Sequence, residues 1–293
     1  MRISHNITAL NTYRQYNTNT VNTNKSMEKL SSGSRINRAA DDAAGLSISE
    51  KMRSQIRGLT QATRNAQDGV SFIQTAEGAL NEVSDMLTRM KELATQVTNG
   101  TYSTDDQKNI GAEMNALGTA IANIYVNTKF NGKEVFGAQS QTGGVLAEVT
   151  KAAAAGTNAA EIFYGEDGGQ SVEIKQASTE ALFDLTTATA AAGASGASAA
   201  DLIGVTDTLV EAAITEVNTQ RASYGAQQNQ LEHAANNMAT TKENLQAAES
   251  RVRDVDMADE MMNYTKNNIL LQAAQAMLAQ ANSQPQGVLQ LLQ

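Results

Sequence analysis

Two stretches of the chain step by three and four residues between mostly apolar or small side chains. They do so without a slip for far longer than an ordinary globular helix. The first runs Leu59, Ala62, Ala66, Gly69, Ile73, Ala76, Leu80, Val83, Leu87, Met90, Ala94 and Val97. The second runs Val210, Ala213, Val217, Gln220, Tyr224, Gln227, Leu231, Ala234, Met238, Thr241, Leu245, Ala248, Val252 and Val255. Alternating steps of 3 and 4 average 3.5 residues, the spacing that keeps one stripe of a helix against a partner helix. Two seams of equal period in one chain are expected to pack against one another. At ~1.5 Å per residue, a helix over residues 46–98 would be ~80 Å long. Ala and Gly line the first part of that seam, so a partner backbone can come close there.

What lies between the seams reads as a helix and a small β-rich region. Asn99-Gly100 stops the first rod. Ser103-Thr104-Asp105-Asp106 restarts a helix with a cap and early carboxylates. Its face is expected to be Ile110, Met114, Leu117, Ile121 and Ile124. The short connection predicts that it folds back antiparallel on the rod. Phe130-Asn131-Gly132-Lys133 is a turn. Further on, Glu161-Ile162-Phe163-Tyr164 and Ser171-Val172-Glu173-Ile174-Lys175 predict a hairpin with a five- to six-residue loop. Residues 145–149 could add a third strand. Residues 186–200, rich in Ala, Gly, Ser and Thr, read as a linker or surface loop. The chain has no Trp, no Cys and one Pro, and aromatic residues make up 4%. So few large side chains suit helices packed closely in pairs better than a broad core.

The two ends have a different character. Residues 1–30 hold sparse apolar positions interrupted by Asn6, Asn11, Asn17, Asn19, Asn22 and Asn24. Asn is a weak helix former, and so little apolar area should not hold a helix alone. This segment is expected to order only against partners. After Asp256 an apolar pattern continues through Met262, Ile269, Ala273, Ala276 and Met277, and the chain closes with Leu291-Leu292-Gln293. Residues 1–60 carry a net charge of +5 and residues 201–293 a net −6, which favours pairing of the two ends. An inner layer is expected to use Ile3, Ile7, Leu10, Val21, Met262, Ile269, Met277, Leu291 and Leu292. The passage from inner layer to rod is expected at Gly33, Arg35, Arg38, Asp41 and Asp42, where a serine- and glycine-rich break meets a charged stretch. Asp41 and Asp42 stand just ahead of the next helix, where its dipole favours carboxylates. That helix opens with Leu46, Ile48, Met52 and Ile56.

Residues that could carry chemistry are few. The two histidines, His5 and His233, lie in helical patterns without a second metal ligand nearby. Lack of Cys excludes disulfides and thiolate metal sites. The paired carboxylates read as helix caps rather than an acid/base pair. No Gly pair has the flanking lysine of a phosphate loop. A net charge of −9 argues against non-specific nucleic-acid binding. No apolar run approaches the ~18 residues of a membrane span, and no secretory signal with an apolar core opens the chain.

Residues 29–58 read KLSSGSRINRAADDAAGLSISEKMRSQIRG. With the opening MRISHNITALNT, the motif TKFNGKEVF and the ending ENLQAAESRVRDVDMADEMMNYTKNNILLQAAQAMLAQANSQPQGVLQLLQ, they resemble bacterial flagellin, the subunit of the flagellar filament. The resemblance covers residues 1–137 and 205–293. It implies a mainly α fold of long antiparallel helices with paired terminal helices. Residues 1–44 and 256–293 would form the inner domain, residues 45–140 and 201–255 a helical rod, and residues 141–200 a short variable outer region. It implies a structural role in swimming motility, with no enzymatic activity, cofactor or metal. It places the protein outside the cell on the flagellum, exported by a type III route without a cleaved signal. The implied partners are copies of itself, an export chaperone at the C-terminal helix, the filament cap and hook-junction proteins, and a host innate immune receptor. The segment MLTRMKELATQ resembles the stretch recognised by the vertebrate Toll-like flagellin receptor. The matching positions are Arg89 and Leu93, taken to face outward or sideways, and Glu113 on the neighbouring helix. Two alternatives are a hook–filament junction protein of the same helical class and an enzyme on a flagellin frame. The full-length C-terminal match argues against the first, and the His-free middle against the second.

Overall fold

The structure is a computed structural model. It describes residues 6–99, 101–136, 141–142, 145–146, 158–163, 169–175, 181–182, 184–185, 188 and 207–291. Five helices dominate: α1 (Ile7–Ser32), α2 (Ala43–Val97), α3 (Thr104–Asn127), α4 (Asp207–Arg253) and α5 (Met257–Leu291). Six short strands lie between α3 and α4: β1 (Lys129–Phe130), β2 (Lys133–Glu134), β3 (Gln141–Thr142), β4 (Val145–Leu146), β5 (Asn158–Phe163) and β6 (Ser171–Lys175). The chain divides into two compact units, residues 1–56 with 242–293 and residues 57–241.

In the unit of residues 57–241, all twelve positions of the first seam are buried. Its partner is α4. A Cβ on Gly69 would lie 3.1 Å from the Leu231 side chain, and Lys91 Nζ pairs with Glu211 Oε1 at 2.7 Å. As residue numbers rise along α2 they fall along α4, so the two helices run antiparallel. Val210, Ala213, Val217, Tyr224, Leu231 and Met238 are buried on α4, whereas the seam's Gln220, Gln227 and Ala234 are half-buried. Burial pushes the Tyr224 hydroxyl up to about 12.

Ser103 caps α3 through a reciprocal box. Its hydroxyl accepts from Asp106 N at 3.3 Å, and the Asp106 carboxylate accepts from Ser103 N at 3.2 Å. The buried stripe of α3 differs from the expected one. Ile110, Met114 and Ile121 are buried as foreseen, but Leu117 and Ile124 are half-covered, while Gly111, Gly118, Ala122 and Tyr125 are buried. Small residues let the helix roll toward its neighbours, and the large Leu117 moves to the edge. Tyr125 packs on Phe136 with ring centroids 4.6 Å apart, and Phe72 meets Phe130 edge-on at 5.7 Å. The turn at Asn131-Gly132 has two left-handed residues, φ 49° and 78°. This is the paired geometry that Asn-Gly allows in a two-residue hairpin.

The strands form three separate antiparallel pairs, β1–β2, β3–β4 and β5–β6. The expected third strand is corrected by this pairing: Val145-Leu146 pair with β3 and do not extend the β5–β6 sheet. The β5–β6 pair is the expected hairpin, with Phe163 opposite Ser171, so seven residues join the strands where five to six were expected. The hairpin also joins the rod. Ile162 lies 3.0 Å from where a Gly69 Cβ would stand, and Asn65 Nδ2 donates to Phe163 O at 3.1 Å. Val172, Ile174, Leu182 and Leu185 are buried. Gly100, His5, residues 147–149, Tyr164 and most of residues 186–200 lie outside the described residues.

Candidate assembly surface

In the unit of residues 1–56 and 242–293, α1 and α5 lie side by side and antiparallel. Asn6 accepts from Ala9 N to cap α1, and its Nδ2 donates to Ala281 O at 2.7 Å. Asn19 Nδ2 donates to Leu270 O at 3.3 Å. Lys29 Nζ stands 4.0 Å from Glu260 Oε2. The covered stripe of α1 is Ala9, Thr12, Tyr16, Asn19, Thr23, Ser26 and Leu30, again in steps of 3 and 4. That of α5 is Glu260, Tyr264, Asn267, Leu271, Ala274, Leu278 and Ala281. The fully buried members on α1 are Asn19, Thr23 and Ser26, all polar, and Thr23 Oγ1 donates to Asn19 O at 2.8 Å.

The expected inner-layer side chains face the other way. Ile7, Leu10, Val21, Met262, Ile269 and Met277 are all exposed, Met262 at 63% and Ile269 at 66%. Ala273 is exposed as well. The expectation that Met262, Ile269, Ala273 and Met277 join α5 to α1 is therefore corrected: the stripes from Ala9 to Leu30 and from Glu260 to Ala281 make that contact. Asn19, Thr23 and Ser26 at the centre of α1 are short enough for close approach, and Leu30, Leu271 and Leu278 are covered beside them, while the exposed large apolar side chains stand on the outer faces. Ile3 and Leu292 lie outside the described residues, and Leu291 closes α5. Eleven of the fourteen exposed large hydrophobic side chains sit on α1 and α5, so these two helices present most of the uncovered apolar surface among the described residues. On α5 they lie on several sides of the helix, a pattern proper to a helix surrounded by protein.

The connector pins the base of this pair. Gly33 ends α1 in a left-handed conformation, φ 69°, and its N–H donates to Lys29 O. Its carbonyl accepts from Val255 N at 3.1 Å, and Arg35 N donates to Arg253 O at 2.6 Å. These bonds flank an antiparallel bridge between Ser34 and Asp254. The Arg35 guanidinium also donates to Val252 O at 2.8 Å, satisfying a carbonyl at the end of α4. Arg38 grips Glu28 with two bonds of 3.0 and 3.1 Å. The two aspartates have separate tasks. Asp42 accepts from Gly45 N at 2.9 Å at the start of α2. Asp41 does not serve that helix. It accepts from Arg38 N and Asn37 N at 3.0 and 3.2 Å, and these backbone donors hold its carboxyl below the usual aspartate range. Past the connector, Gly45 and Ser49 are buried while Ile48 is exposed.

The second candidate surface is on α2 and α3. Arg89 bridges Glu113 and Glu92, each at 3.0 Å, and all three side chains are about half-exposed. Leu93 is only 1% exposed. Its expected outward or sideways orientation is corrected: it fills the core beside Met90, Ala94 and Val97. Among the described residues no cluster of three metal-ligating side chains exists, and no helix is long and apolar enough to cross a membrane.

The family model of the bacterial flagellin N-terminal helical region matches residues 3–142, and that of the C-terminal helical region matches residues 208–292. The chain belongs to the flagellins. This flagellin is 48% identical to the flagellin of Bacillus subtilis, with all of both chains aligned. It is 46% identical to the flagellin of Halalkalibacterium halodurans and 43% identical to the flagellar filament 33 kDa core protein of Treponema phagedenis, again over the full length of both. The crystal structure of Bacillus cereus flagellin aligns with 60% of this chain and 88% of that one at 30% identity and a TM-score of 0.45.

The covered stripe of the α1–α5 pair escaped sequence reasoning because its fully buried members on α1 are polar, although their 3/4 stepping is present in the sequence. Spacing alone does not single it out, because every position of a helix starts such a stripe.

Proposed function

We propose that this flagellin is the structural subunit of the bacterial flagellar filament, and that α1 and α5 are its polymerising surface. The observation that carries this reading is the pair itself: each helix is covered on one stripe, and eleven large apolar side chains are left outside it. Exposed apolar side chains on several sides of a helix are stabilised only when further helices cover them. Neighbouring subunits supply that cover in a helical homopolymer. The connector at residues 33–42 holds the two terminal helices in one register while they are covered. Seeded polymerisation followed by negative-stain microscopy tests the reading. Long tubes are expected, and soluble, helical protein that never elongates seeds would overturn it.

The finer assignments follow the same reading. Export without a cleaved signal, a chaperone that shields exposed α5, and docking to cap and hook-junction proteins all suit a subunit with an uncovered apolar end. Recognition by a host innate immune receptor falls to Arg89 and Glu113, whose charges reach solvent, with Leu93 supporting them from below. Arg89→Ala is expected to weaken receptor activation by free subunit several-fold. Equal activation by the variant and the parent would remove Arg89 from the contact.

A further inference from the structure

Methionine is distributed unevenly between the two units. Met90, Met114 and Met238 are buried in the unit of residues 57–241, Met90 completely. Met52 and Met86 are half-buried. Met27, Met257, Met261, Met262 and Met277 are exposed, and all five lie on α1 or α5. A thioether in solvent is open to two-electron oxidation, and one inside a packed core is shielded. The most accessible sulfurs of the described residues therefore coincide with the proposed polymerising surface.

We propose that Met27, Met257, Met261, Met262 and Met277 form an oxidant-sensitive modification site that controls polymerisation of the free subunit. This inference rests on the filament reading above. The reaction needs a peroxide as co-reactant. The sulfur lone pair attacks one peroxide oxygen, an S–O bond forms and the O–O bond breaks. Sulfur is oxidised by two electrons to the sulfoxide, and hydrogen peroxide is reduced to water. The product is polar and strongly hydrogen-bonding where the parent was apolar. Covering it against another helix without a donor is penalised. On α5 the four methionines point in different directions around the helix, so some oxidised sulfur meets a neighbour whichever faces are covered. No methionine on this surface is needed to hold α1 against α5, because none of the five lies on the covered stripe of either helix. Oxidation should therefore block polymerisation while the fold of the subunit persists. Once polymerised, the same sulfurs are covered and resist oxidation.

The test treats free subunit and assembled filament with dilute hydrogen peroxide. Peptide mass spectrometry follows each methionine, circular dichroism follows the fold, and seeded sedimentation gives the critical concentration. In the free subunit the five exposed methionines should oxidise before Met90, Met114 and Met238. The critical concentration should then rise at least about tenfold with helix content unchanged. A mixture of methionine sulfoxide reductases for both epimers should restore polymerisation of this same wild-type protein. A variant with all five changed to Leu should polymerise equally with and without peroxide, since Leu nearly conserves volume. Normal polymerisation of fully oxidised subunit would overturn the proposal. Equal inhibition of the Leu variant by peroxide, or failure of the reductases to rescue, would do the same. Untreated wild-type subunit that cannot be seeded overturns the filament reading itself, a result distinct from these.

Discussion

Asn19 occupies a position where a coiled coil ordinarily carries an apolar side chain, and its amide reaches the Leu270 carbonyl on the facing helix. A polar residue at such a position favours one register over others, and here its amide is hydrogen-bonded to the facing helix. Asn6 to Ala281, Lys29 to Glu260 and Gly33 to Val255 repeat the same register along the pair. Replacing Asn19 by Ala removes one bond and leaves the Leu270 carbonyl with its helical partner. We expect a loss of about 1 kcal/mol per subunit, seen as a lower melting temperature of the filament; an unchanged or raised value would count against a role in the pair. Asp41 gives a pH dependence. Its carboxyl is held below the ordinary 3.8 by backbone donors from Arg38 and Asn37, with Lys25 and Lys29 nearby. A depressed folded value means that stability is present above the unfolded value and is lost as pH falls through the folded one. Loosening of the connector is therefore expected below pH 3.8 and not above it. Carboxyl titration by NMR should give a midpoint under 3.8 for Asp41.

At the scale of elements, the β5–β6 hairpin does more than the sequence implied. It interrupts the seam pattern, so residues 141–200 read as an outer region whose replacement by a short Gly/Ser loop would leave polymerisation and motility largely intact. Ile162 instead comes against α2 at Gly69, where the missing Cβ makes room for both the hairpin and Leu231 of α4. Val172 and Ile174 of the same hairpin are buried. Ile174→Ala should therefore destabilise the unit of residues 57–241 by about 2–5 kcal/mol, the range for truncating a fully buried aliphatic side chain. Denaturant unfolding of the variant measures it, and a change within ±0.5 kcal/mol would restore the view of the hairpin as an outgrowth.

For the whole molecule, the two units differ in how completely they cover their apolar residues. Residues 57–241 bury the α2 seam throughout. The α4 seam alternates buried and half-buried positions from Val217 to Met238, after which Thr241 is exposed and Leu245, Ala248, Val252 and Val255 are all only half-covered. The terminal helices are covered on one stripe each. Ordering backbone costs roughly 1–2 kcal/mol per residue, so helices covered on one side are weakly held until neighbours arrive. Amide exchange over residues 7–32 and 257–291 is expected to be fast in free subunit and slow in filament, with helix content rising on polymerisation. Equal protection in both states would show that folding of the ends and polymerisation are separate events.

Much of the fold is legible in the sequence because long helices advertise themselves by period. The α2 seam from Leu59 to Val97, the Ser103 cap, the Asn131-Gly132 turn and the Gly33 break are local consequences of propensity and backbone sterics. The family was legible too, in the long matching runs at both ends. What only the tertiary structure decided is which side of a weakly amphipathic helix meets its partner. On α1 the hydrophobic pattern pointed to Ile7, Leu10 and Val21, but the covered stripe is Asn19, Thr23 and Ser26. On α3 the same choice fell to Gly118 and Tyr125 over Leu117 and Ile124, and on α2 it buried Leu93. Period alone reports that a stripe exists, whereas the choice of stripe depends on how closely two backbones approach and which side chains fit between them. For α1 and α5 the physical reason is that Asn19, Thr23 and Ser26 are short enough for close, hydrogen-bonded pairing with Leu30, Leu271 and Leu278 covered beside them, leaving Ile7, Leu10, Val21, Met262, Ile269 and Met277 free for partners outside the subunit.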